Sequence, residues 1–310
     1  MEESTSDITA AIRADGLTKS FGRVRAVRGV SLDIHPGELY GLIGPDGAGK
    51  TTTIRMLTTL MLPDSGSGSV DGFDIVKDFR KIRESVGYMP GHFSLYQDLT
   101  VEENLKFFAN VFDVDLEENM KIIEPVFEQL SRFKTRAAGH LSGGMKQKLA
   151  LCCALIHKPK ILFLDEPTVG VDLIARGEFW KVLRQLTAQG VTILVTTSYM
   201  DEATLCDRIS LINRGEILQT GTPSDLTDSF GSPLFAISAP RMMDLLAKAR
   251  RLPYCDDCYT FGQSLHLVTK EGITASRVTQ DLDEPGLKVA AAKPDIEDLF
   301  IKLMTDDRKK

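Results

Sequence analysis

The sequence predicts an α/β protein with a mostly parallel sheet, followed by a small α+β module. Short apolar, β-rich runs alternate with helical segments up to about residue 225. One of these runs enters a glycine-rich loop that opens a helix. After Thr222-Pro223 the pattern changes to shorter strands and helices in a different order. These three observations give two predicted units, residues 8–225 and 226–310.

Composition limits the class of protein. The chain has 310 residues, enough for one large or two modest domains, and 43% hydrophobic and 26% charged residues are ordinary values for a globular protein. The net charge of -6 argues against a nucleic-acid partner. No run approaches the roughly 18–20 apolar residues of a membrane span, and the acidic N-terminus is unlike a signal peptide. We therefore expect a cytoplasmic chain that reaches a membrane only through a partner.

Five cysteines form no disulfide framework, which fits a reducing cytoplasm. Cys255 and Cys258 have CxxC spacing, but no second CxxC or HxxxH pattern follows to complete a zinc site. A metal or redox role for this pair is therefore the less favoured interpretation.

The first elements in chain order are strands. Residues 9–72 are strand-rich and are broken by turns at Asp15-Gly16, Phe21-Gly22 and His35-Pro36-Gly37. A strand over Glu38–Ile43 leads into the glycine-rich loop, and a helix is predicted over Lys50–Leu62, where Pro63 follows.

The middle of the chain, about residues 95–158, is predicted to be helical. Thr100 and Glu103 have the spacing of a capping box, which opens a helix. Beyond it, strands again alternate with helices, and the predicted strands are Ile161–Leu164, Thr192–Thr196 and Arg208–Ile212. Such apolar runs are typical of buried parallel strands.

The last 85 or so residues predict a βαββαβ order, which suggests a ferredoxin-like module. The predicted elements are strand Phe235–Ser238, helix Met242–Arg251, strands Tyr259–Phe261 and Leu265–Thr269, helix Thr274–Leu282 and strand Leu287–Ala291. An amphipathic helix over Ile296–Met304 ends the chain.

The glycine-rich loop matches the phosphate-binding pattern G-x-x-x-x-G-K-[ST] in Gly44-Pro45-Asp46-Gly47-Ala48-Gly49-Lys50-Thr51. Glycines allow backbone N–H groups to converge on phosphate oxygens, and the helix N-terminus adds partial positive charge. Lys50 is placed to reach the β- and γ-phosphates and Thr51 to ligate Mg²⁺. The alternative is an ordinary glycine-rich turn before a helix.

Two acids end an apolar strand at Asp165-Glu166. Ligands of α/β proteins bind at the carboxyl ends of parallel strands. In that position Asp165 would hold Mg²⁺ through water and Glu166 would act as the general base that polarises the attacking water. The alternative, two acids that simply end a strand at the surface, loses weight because the phosphate loop precedes them.

A third motif lies between these two sites, at Leu141-Ser142-Gly143-Gly144-Met145-Lys146-Gln147. Taken alone, it is also compatible with an ordinary N-cap serine followed by glycines. The three motifs in this order resemble the ABC-type ATPases over about residues 8–225. The resemblance implies a P-loop nucleotide-binding domain with an antiparallel β subdomain and a helical signature subdomain over about residues 95–158, and it implies ATP and Mg²⁺ as ligands.

The resemblance also implies roles for individual residues. Phe21 would stack on adenine, with a core phenylalanine as the alternative, and Thr52 would join the phosphate loop. Members of the family form head-to-tail dimers, in which ATP lies between the loop of one subunit and the signature residues of the other, here Ser142, Gly143, Gly144 and Gln147. Asp172, in Val169-Gly-Val-Asp172, would lie in the loop that crosses the dimer interface.

The subclass resembled is that of the ABC-2 type drug exporters, including daunorubicin-resistance ATPases and bacterial multidrug ATPases. The matching segments are Gly87-Tyr-Met-Pro, Leu95–Leu105, Tyr199–Ala203 and Pro294–Ile301. This implies a separate membrane permease, a homodimer or heterodimer of nucleotide domains, and a position on the inner face of the cell membrane. The stretch Gly91–Leu105 would border the groove that receives the permease, although a simple loop-to-helix connection is also compatible with it. ABC proteins that act on ribosomes or DNA fit less well, because the sequence has one nucleotide domain, no heptad insertion and net negative charge.

Two positions depart from the family pattern. Gly91 stands where a glutamine contacts Mg²⁺ and water, and Ser198 stands where a histidine hydrogen-bonds the γ-phosphate. His92, adjacent to Gly91, would point elsewhere. One interpretation is that ATP binding is intact and hydrolysis is slow, as in a regulatory subunit paired with an active one. The other is tolerated variation in an active enzyme.

Overall fold

A computed structural model describes residues 10–307 of the chain. The chain divides into two compact units, Met1–Pro223 and Ser224–Lys310, whereas the sequence placed the boundary after residue 225. Residues 8 and 9 of the predicted first domain, the acidic N-terminal segment before them, and residues 308–310 lie outside the described part.

The first unit contains ten strands and six helices among the described residues. They are β1 Ile12–Phe21, β2 Val24–Ile34, β3 Leu39–Ile43, α1 Lys50–Leu57, β4 Ser65–Val70, β5 Phe73–Asp74, α2 Phe79–Ser85, β6 Val86–Met89, α3 Val101–Val111, α4 Leu116–Phe127, α5 Gly143–Leu155, β7 Ile161–Asp165, α6 Leu173–Ala188, β8 Thr192–Thr197, β9 Arg208–Asn213 and β10 Glu216–Gly221. A seventh helix, α7 (Pro223–Asp228), starts at the unit's last residue.

Two sheets organise this unit. The larger has the order β10-β9-β3-β8-β7-β6, and only the β10–β9 pair is antiparallel. Strands β3, β7 and β8 are buried at every residue, which is why their sequences are continuous apolar runs and not alternating ones. The smaller sheet, β2-β1-β4-β5, is antiparallel. The predicted α/β fold with a mostly parallel sheet is therefore confirmed.

Helix α1 ends at Leu57, so the prediction that it continues to Leu62 is wrong. The Thr58 hydroxyl donates to the carbonyl one turn back at 2.9 Å. Thr59 takes a left-handed φ of 62°, and the Arg83 guanidinium donates to its carbonyl at 2.6 Å. These side-chain bonds satisfy carbonyls at the helix end and turn the chain away.

The helical segment begins as predicted. Thr100 caps α3 with a complete capping box, in which its hydroxyl accepts from the Glu103 N–H at 3.2 Å and the Glu103 carboxylate accepts from the Thr100 N–H at 2.8 Å. The buried Asn104 amide then fixes the preceding loop through both backbone groups of Tyr96. Within residues 10–307, no helix has the length and apolar character needed to cross a membrane.

The second unit is built on a four-stranded antiparallel sheet of order β12-β13-β11-β14. Its elements are β11 Leu234–Ser238, α8 Met242–Ala249, β12 Cys255–Phe261, β13 Ser264–Thr269, α9 Ala275–Leu282, β14 Lys288–Ala291 and α10 Ile296–Asp307. Helices α8 and α9 each connect two strands that have a third strand between them, which is a split βαβ arrangement, and α10 follows the last strand.

Strand β12 begins at Cys255, four positions before the predicted Tyr259. A register shift between Cys255 and Asp257 inserts an extra residue, so polar residues there could not be recognised as strand from alternation. The described cysteines are all free, and burial raises the pKa of the Cys258 thiol to about 12. A thiol held protonated in this way is a poor nucleophile and a poor metal ligand at neutral pH.

Candidate functional site

The phosphate loop connects β3 to α1 and lies against two other strands. A side chain on Gly44 would collide with the carbonyl oxygen of Ile212 in β9. Gly49 has a φ of 105°, and a methyl group there would lie 2.5 Å from the carbonyl oxygen of Ala26 in β2. Both positions therefore require glycine, and the loop backbone is held in one conformation at the N-terminus of α1.

Lys50 opens α1 and is only 3% exposed. Its ammonium donates to the carbonyl oxygens of Gly44 at 2.7 Å and Pro45 at 3.0 Å, and it pairs with Glu166 Oε1 at 2.9 Å. The cation thus lies inside the curve of the loop, with a carboxylate facing it. The neighbouring Asp46 and Gly47 are exposed, Ala48 is buried and Thr52 is half-buried.

The two acids lie at the carboxyl end of β7, beside the loop. Asp165 is 2% exposed, and its Oδ1 accepts from the hydroxyls of Thr51 at 3.0 Å and Thr196 at 2.7 Å. Thr51 and Asp165 are 114 positions apart in the chain. Glu166 follows with a left-handed φ of 49°, and its side chain points to Lys50.

The chemistry of this group of side chains fits a magnesium–phosphate ligand. Thr51 and Asp165 supply hydroxyl and carboxylate oxygens, the hard donors that Mg²⁺ prefers. Lys50 and the N–H groups at the start of α1 supply positive charge and donors for phosphate oxygens. Glu166 supplies a carboxylate next to both. The sequence-predicted residues of these two motifs are therefore together in one place.

Position 91 borders the same acids. A methyl group placed on Gly91 would lie 3.0 Å from the Asp165 carbonyl oxygen and 3.7 Å from its Oδ2. A longer side chain at this position would therefore reach the Asp165 carboxylate. His92, the next residue, is exposed. Ser198 directly follows β8 and is half-buried.

A buried carboxylate near Ser198 was missed by sequence reasoning. Glu202 is 1% exposed and accepts from the hydroxyls of Thr168 at 2.7 Å and Thr197 at 2.6 Å. Arg176 Nε lies 3.6 Å from Glu202, and its guanidinium stacks on the Tyr199 ring at 3.9 Å. Glu202 therefore links Thr168, which follows Glu166 in the chain, to Thr197. Through Arg176 it also contacts Tyr199, so both neighbours of Ser198 are held by this carboxylate. Nothing in the local pattern distinguishes it from the exposed acid beside it, because only the fold buries it.

The signature residues lie on a different part of this unit. Ser142 caps α5, and its hydroxyl accepts from the Met145 N–H at 3.4 Å. A methyl group on Gly143 would lie 2.8 Å from the Gly170 carbonyl oxygen, and one on Gly144 would lie 2.9 Å from the Ala175 side chain. The glycines thus allow α5 to approach the segment that precedes and opens α6.

Asp172 belongs to that segment and caps α6, accepting from the Ala175 N–H at 3.0 Å. Ser142 and Asp172 are both exposed, and Gln147 is half-buried. Within residues 10–307, no hydrogen bond joins the signature residues to the phosphate loop of the same chain.

Phe21 ends β1 and is 49% exposed. The alternative of a core phenylalanine is therefore wrong. An exposed ring at this position is available to stack on a planar ligand.

Comparison with known proteins gives concordant matches. A family model described as ABC transporter matches residues 27–169. The chain is 42% identical over 301 residues to a protein named as a probable multidrug ABC transporter ATP-binding protein of Escherichia coli (strain K12), covering 95% of this chain and 52% of that one. It is 36% identical over 306 residues to a Nod factor export ATP-binding protein of Rhizobium sp. (strain N33), covering 97% and 99%. It is 33% identical over 307 residues to a daunorubicin resistance ATP-binding protein of Streptomyces coeruleorubidus, covering 94% of each.

The chain spans about half the length of the E. coli relative and nearly all of the other two. Among solved structures, an ATP-binding subunit of an ABC transporter matches with a TM-score of 0.65 and 28% identity over 71% of this chain and 93% of that one. A dimeric bacterial ABC transporter cassette matches with a TM-score of 0.62 and 26% identity, covering 68% and 98%.

Proposed function

Since this chain belongs to the ABC transporter family of ATP-binding proteins, we propose that it is an ATP-hydrolysing subunit that energises a membrane exporter through a separate ABC-2 type permease. The observation that carries the proposal is the meeting of Lys50 and Thr51 with Asp165 and Glu166 at one point beside the phosphate loop. The relatives named for multidrug transport, Nod factor export and daunorubicin resistance support drugs or other small amphipathic molecules as the transported class.

Each side chain has a distinct part in the proposed reaction. The loop N–H groups and Lys50 bind the ATP phosphates, while Thr51 and Asp165 would hold Mg²⁺. Bound Mg²⁺ would neutralise charge that develops on the phosphates. Glu166 accepts a proton from the attacking water, and because its Oε1 lies 2.9 Å from the Lys50 ammonium, it needs to turn away from Lys50 to contact that water. Phe21 stacks on the adenine.

In this proposal, the residues of one chain form only half of an ATP site, and a second nucleotide domain supplies the other half. No described hydrogen bond joins Ser142, Gly143 or Gly144 to the phosphate loop of the same chain, and Ser142 and Gly143 are exposed. We propose that they bind the γ-phosphate held by a second nucleotide domain, with Gln147 and Asp172 nearby. A helix N-terminus supplies N–H donors and partial positive charge for such an anion.

Hydrolysis is proposed to be slow. Gly91 offers no side chain to the Asp165 carboxylate, and Ser198 is a shorter, uncharged donor compared with histidine. The loss of one transition-state donor costs about 10²–10³ in rate. These two residues also favour the second candidate function, a regulatory subunit that binds ATP and pairs with an ABC ATPase carrying the usual glutamine and histidine.

A permease-binding surface is proposed on the same unit. A cavity of about 170 Å³ lies between the segment around Met89–Leu95 and helices α3 and α5. Exposed apolar side chains belong to the cavity or lie beside it in sequence, among them Leu60 at 54%, Tyr96 at 51% and Phe107 at 37% exposure. Apolar surface of this kind is typical of a protein–protein contact. Binding to a permease through this surface would place the chain on the inner face of the membrane.

Two measurements test the proposal. The purified chain should bind ATP, and its turnover should lie below the roughly 10 s⁻¹ of a typical enzyme and fall further in Glu166→Gln, while Lys50→Ala loses binding. A turnover that Glu166→Gln leaves unchanged would refute the assignment of the site.

Affinity purification from detergent-solubilised membranes should recover a permease, and a second ATPase if the dimer is mixed. Recovery of the chain alone under mild detergent, with ATP present, would count against the transport role.

A further inference from the structure

One threonine of strand β8, Thr196, is hydrogen-bonded to both Asp165 and Glu166 and has no role in the proposed reaction. We infer that Thr196 is a positioning residue of the ATP site, which holds Asp165 and Glu166 in their working geometry through its hydroxyl. The inference rests on the proposed function, because it concerns the residues that would hold Mg²⁺ and accept the proton.

The hydroxyl of Thr196 is bonded to both acidic residues. It donates to Asp165 Oδ1 at 2.7 Å and accepts from the Glu166 N–H at 3.0 Å. The carbonyl oxygen of Thr196 accepts from the same N–H at 3.1 Å. Thr196 is fully buried, so water does not substitute for any of these bonds. One side chain therefore sets the position of two functional residues.

The sheet brings these groups together. Strands β7 and β8 are parallel, and Asp165 is the register partner of Thr196. Immediately after that pair, Glu166 takes a φ of 49°, which few residues with a side chain adopt. Its N–H donates to both Thr196 oxygens, and these two bonds hold the peptide from which the φ of Glu166 directs the side chain to Lys50.

Packing alone does not require a hydroxyl here. Valine has the same branched shape, favours strands equally and carries no polar group to satisfy inside a buried sheet. The hydroxyl of Thr196 has two described partners, and both belong to the acids. Without it, Asp165 Oδ1 would keep the Thr51 hydroxyl as its remaining described side-chain donor. Loss of such an outer-shell bond typically lowers metal affinity or activity by about 10–100-fold.

The test compares Thr196→Val with Thr196→Ser in the purified full chain. Thr196→Val should lower kcat for ATP by about 10–100-fold and raise the Mg²⁺ concentration for half-maximal activity, with the KM for ATP within about threefold of wild type. Thr196→Ser, which keeps the hydroxyl, should recover most of the loss. Thr192→Val is the matched control, since Thr192 is a buried threonine of the same strand whose hydroxyl accepts from the distant Gly37 N–H at 2.9 Å.

A readout without turnover separates this inference from the proposed function. Mn²⁺ affinity, measured by electron paramagnetic resonance with a non-hydrolysable ATP analogue, should weaken in Thr196→Val and not in Thr192→Val. If the wild type shows no hydrolysis, the proposed function fails, and this measurement still decides the inference. Equal losses in the valine and serine variants, or no loss in either, would overturn it. If Thr196→Val fails to fold, Thr196→Ala against Thr196→Ser provides the same comparison.

Discussion

The change of Gly91 to glutamine is expected to accelerate ATP hydrolysis. A methyl group at this position lies 3.7 Å from Asp165 Oδ2, so the longer side chain of glutamine places its amide beside the carboxylate proposed to hold Mg²⁺. If the missing amide limits the transition state, restoring it is worth up to about 10²–10³ in kcat, or about 2.7–4 kcal/mol. We expect at least a tenfold gain, because Ser198 remains unchanged.

The same geometry sets the cost of the substitution. The new Cβ would be 3.0 Å from the Asp165 carbonyl oxygen, a tight contact that the loop relieves by a shift of a few tenths of an ångström. Overpacking of this kind lowers the free energy of unfolding by about 1 kcal/mol, at the low end of the usual range. Gly91→Ala has the same contact without the amide and is therefore the matched control.

The assay is phosphate release by the purified chain at saturating ATP and Mg²⁺. The ratio of kcat between Gly91→Gln and Gly91→Ala reports the amide alone, while denaturant unfolding reports the strain. If glutamine is no faster than alanine and both remain folded, position 91 is not a missing ligand. The interpretation of Gly91 as tolerated variation would then hold.

Three further results are expected. Phe21→Ala should raise the Kd for ATP by about 2- to 10-fold at unchanged thermal stability, since an exposed stacking ring is worth about 0.5–1.5 kcal/mol; an unchanged Kd would exclude stacking. Glu202→Ala should lower the free energy of unfolding by about 3–5 kcal/mol in denaturant titrations, because Arg176 loses its buried partner, and Glu202→Gln, which also removes the charge, should lose nearly as much; a much smaller loss in Glu202→Gln would argue against the ion pair. Burial lowers the pKa of His157, which stacks on Phe112 at 3.8 Å, so the unfolded chain protonates first and the free energy of unfolding should fall as pH drops below about 6.5. In His157→Phe that decline should be shallower, and an identical pH profile would contradict the assignment.

Local chemistry allowed several features to be predicted without coordinates. The phosphate loop is recognisable because Gly44 and Gly49 occupy positions where a side chain collides with backbone, so the spacing carries the geometry. The capping box at Thr100 depends on two residues three positions apart. Continuous apolar runs predicted buried parallel strands, because both faces of such strands are covered and the side chains on both are therefore mostly apolar.

Other features depend on contacts between distant segments. Helix α1 stops at Leu57 because Arg83 binds the carbonyl of Thr59, a contact across 24 positions. The bulge that extends β12 back to Cys255 depends on its partner strand.

The sequence by itself determined the fold class, the order of elements in the second unit and the glycine positions of the loop that leads into α1, because each is encoded by short-range pattern and glycine sterics. Only the tertiary structure decided which polar residues are buried together. Glu202 and Thr196 look like an ordinary surface acid and an ordinary strand threonine in the sequence. The register of β7 against β8 places the Thr196 hydroxyl on both acids, and the packing of α6 against the chain after β8 buries Glu202 with Arg176. Burial and register are properties of pairs of distant segments, so no local pattern carries them.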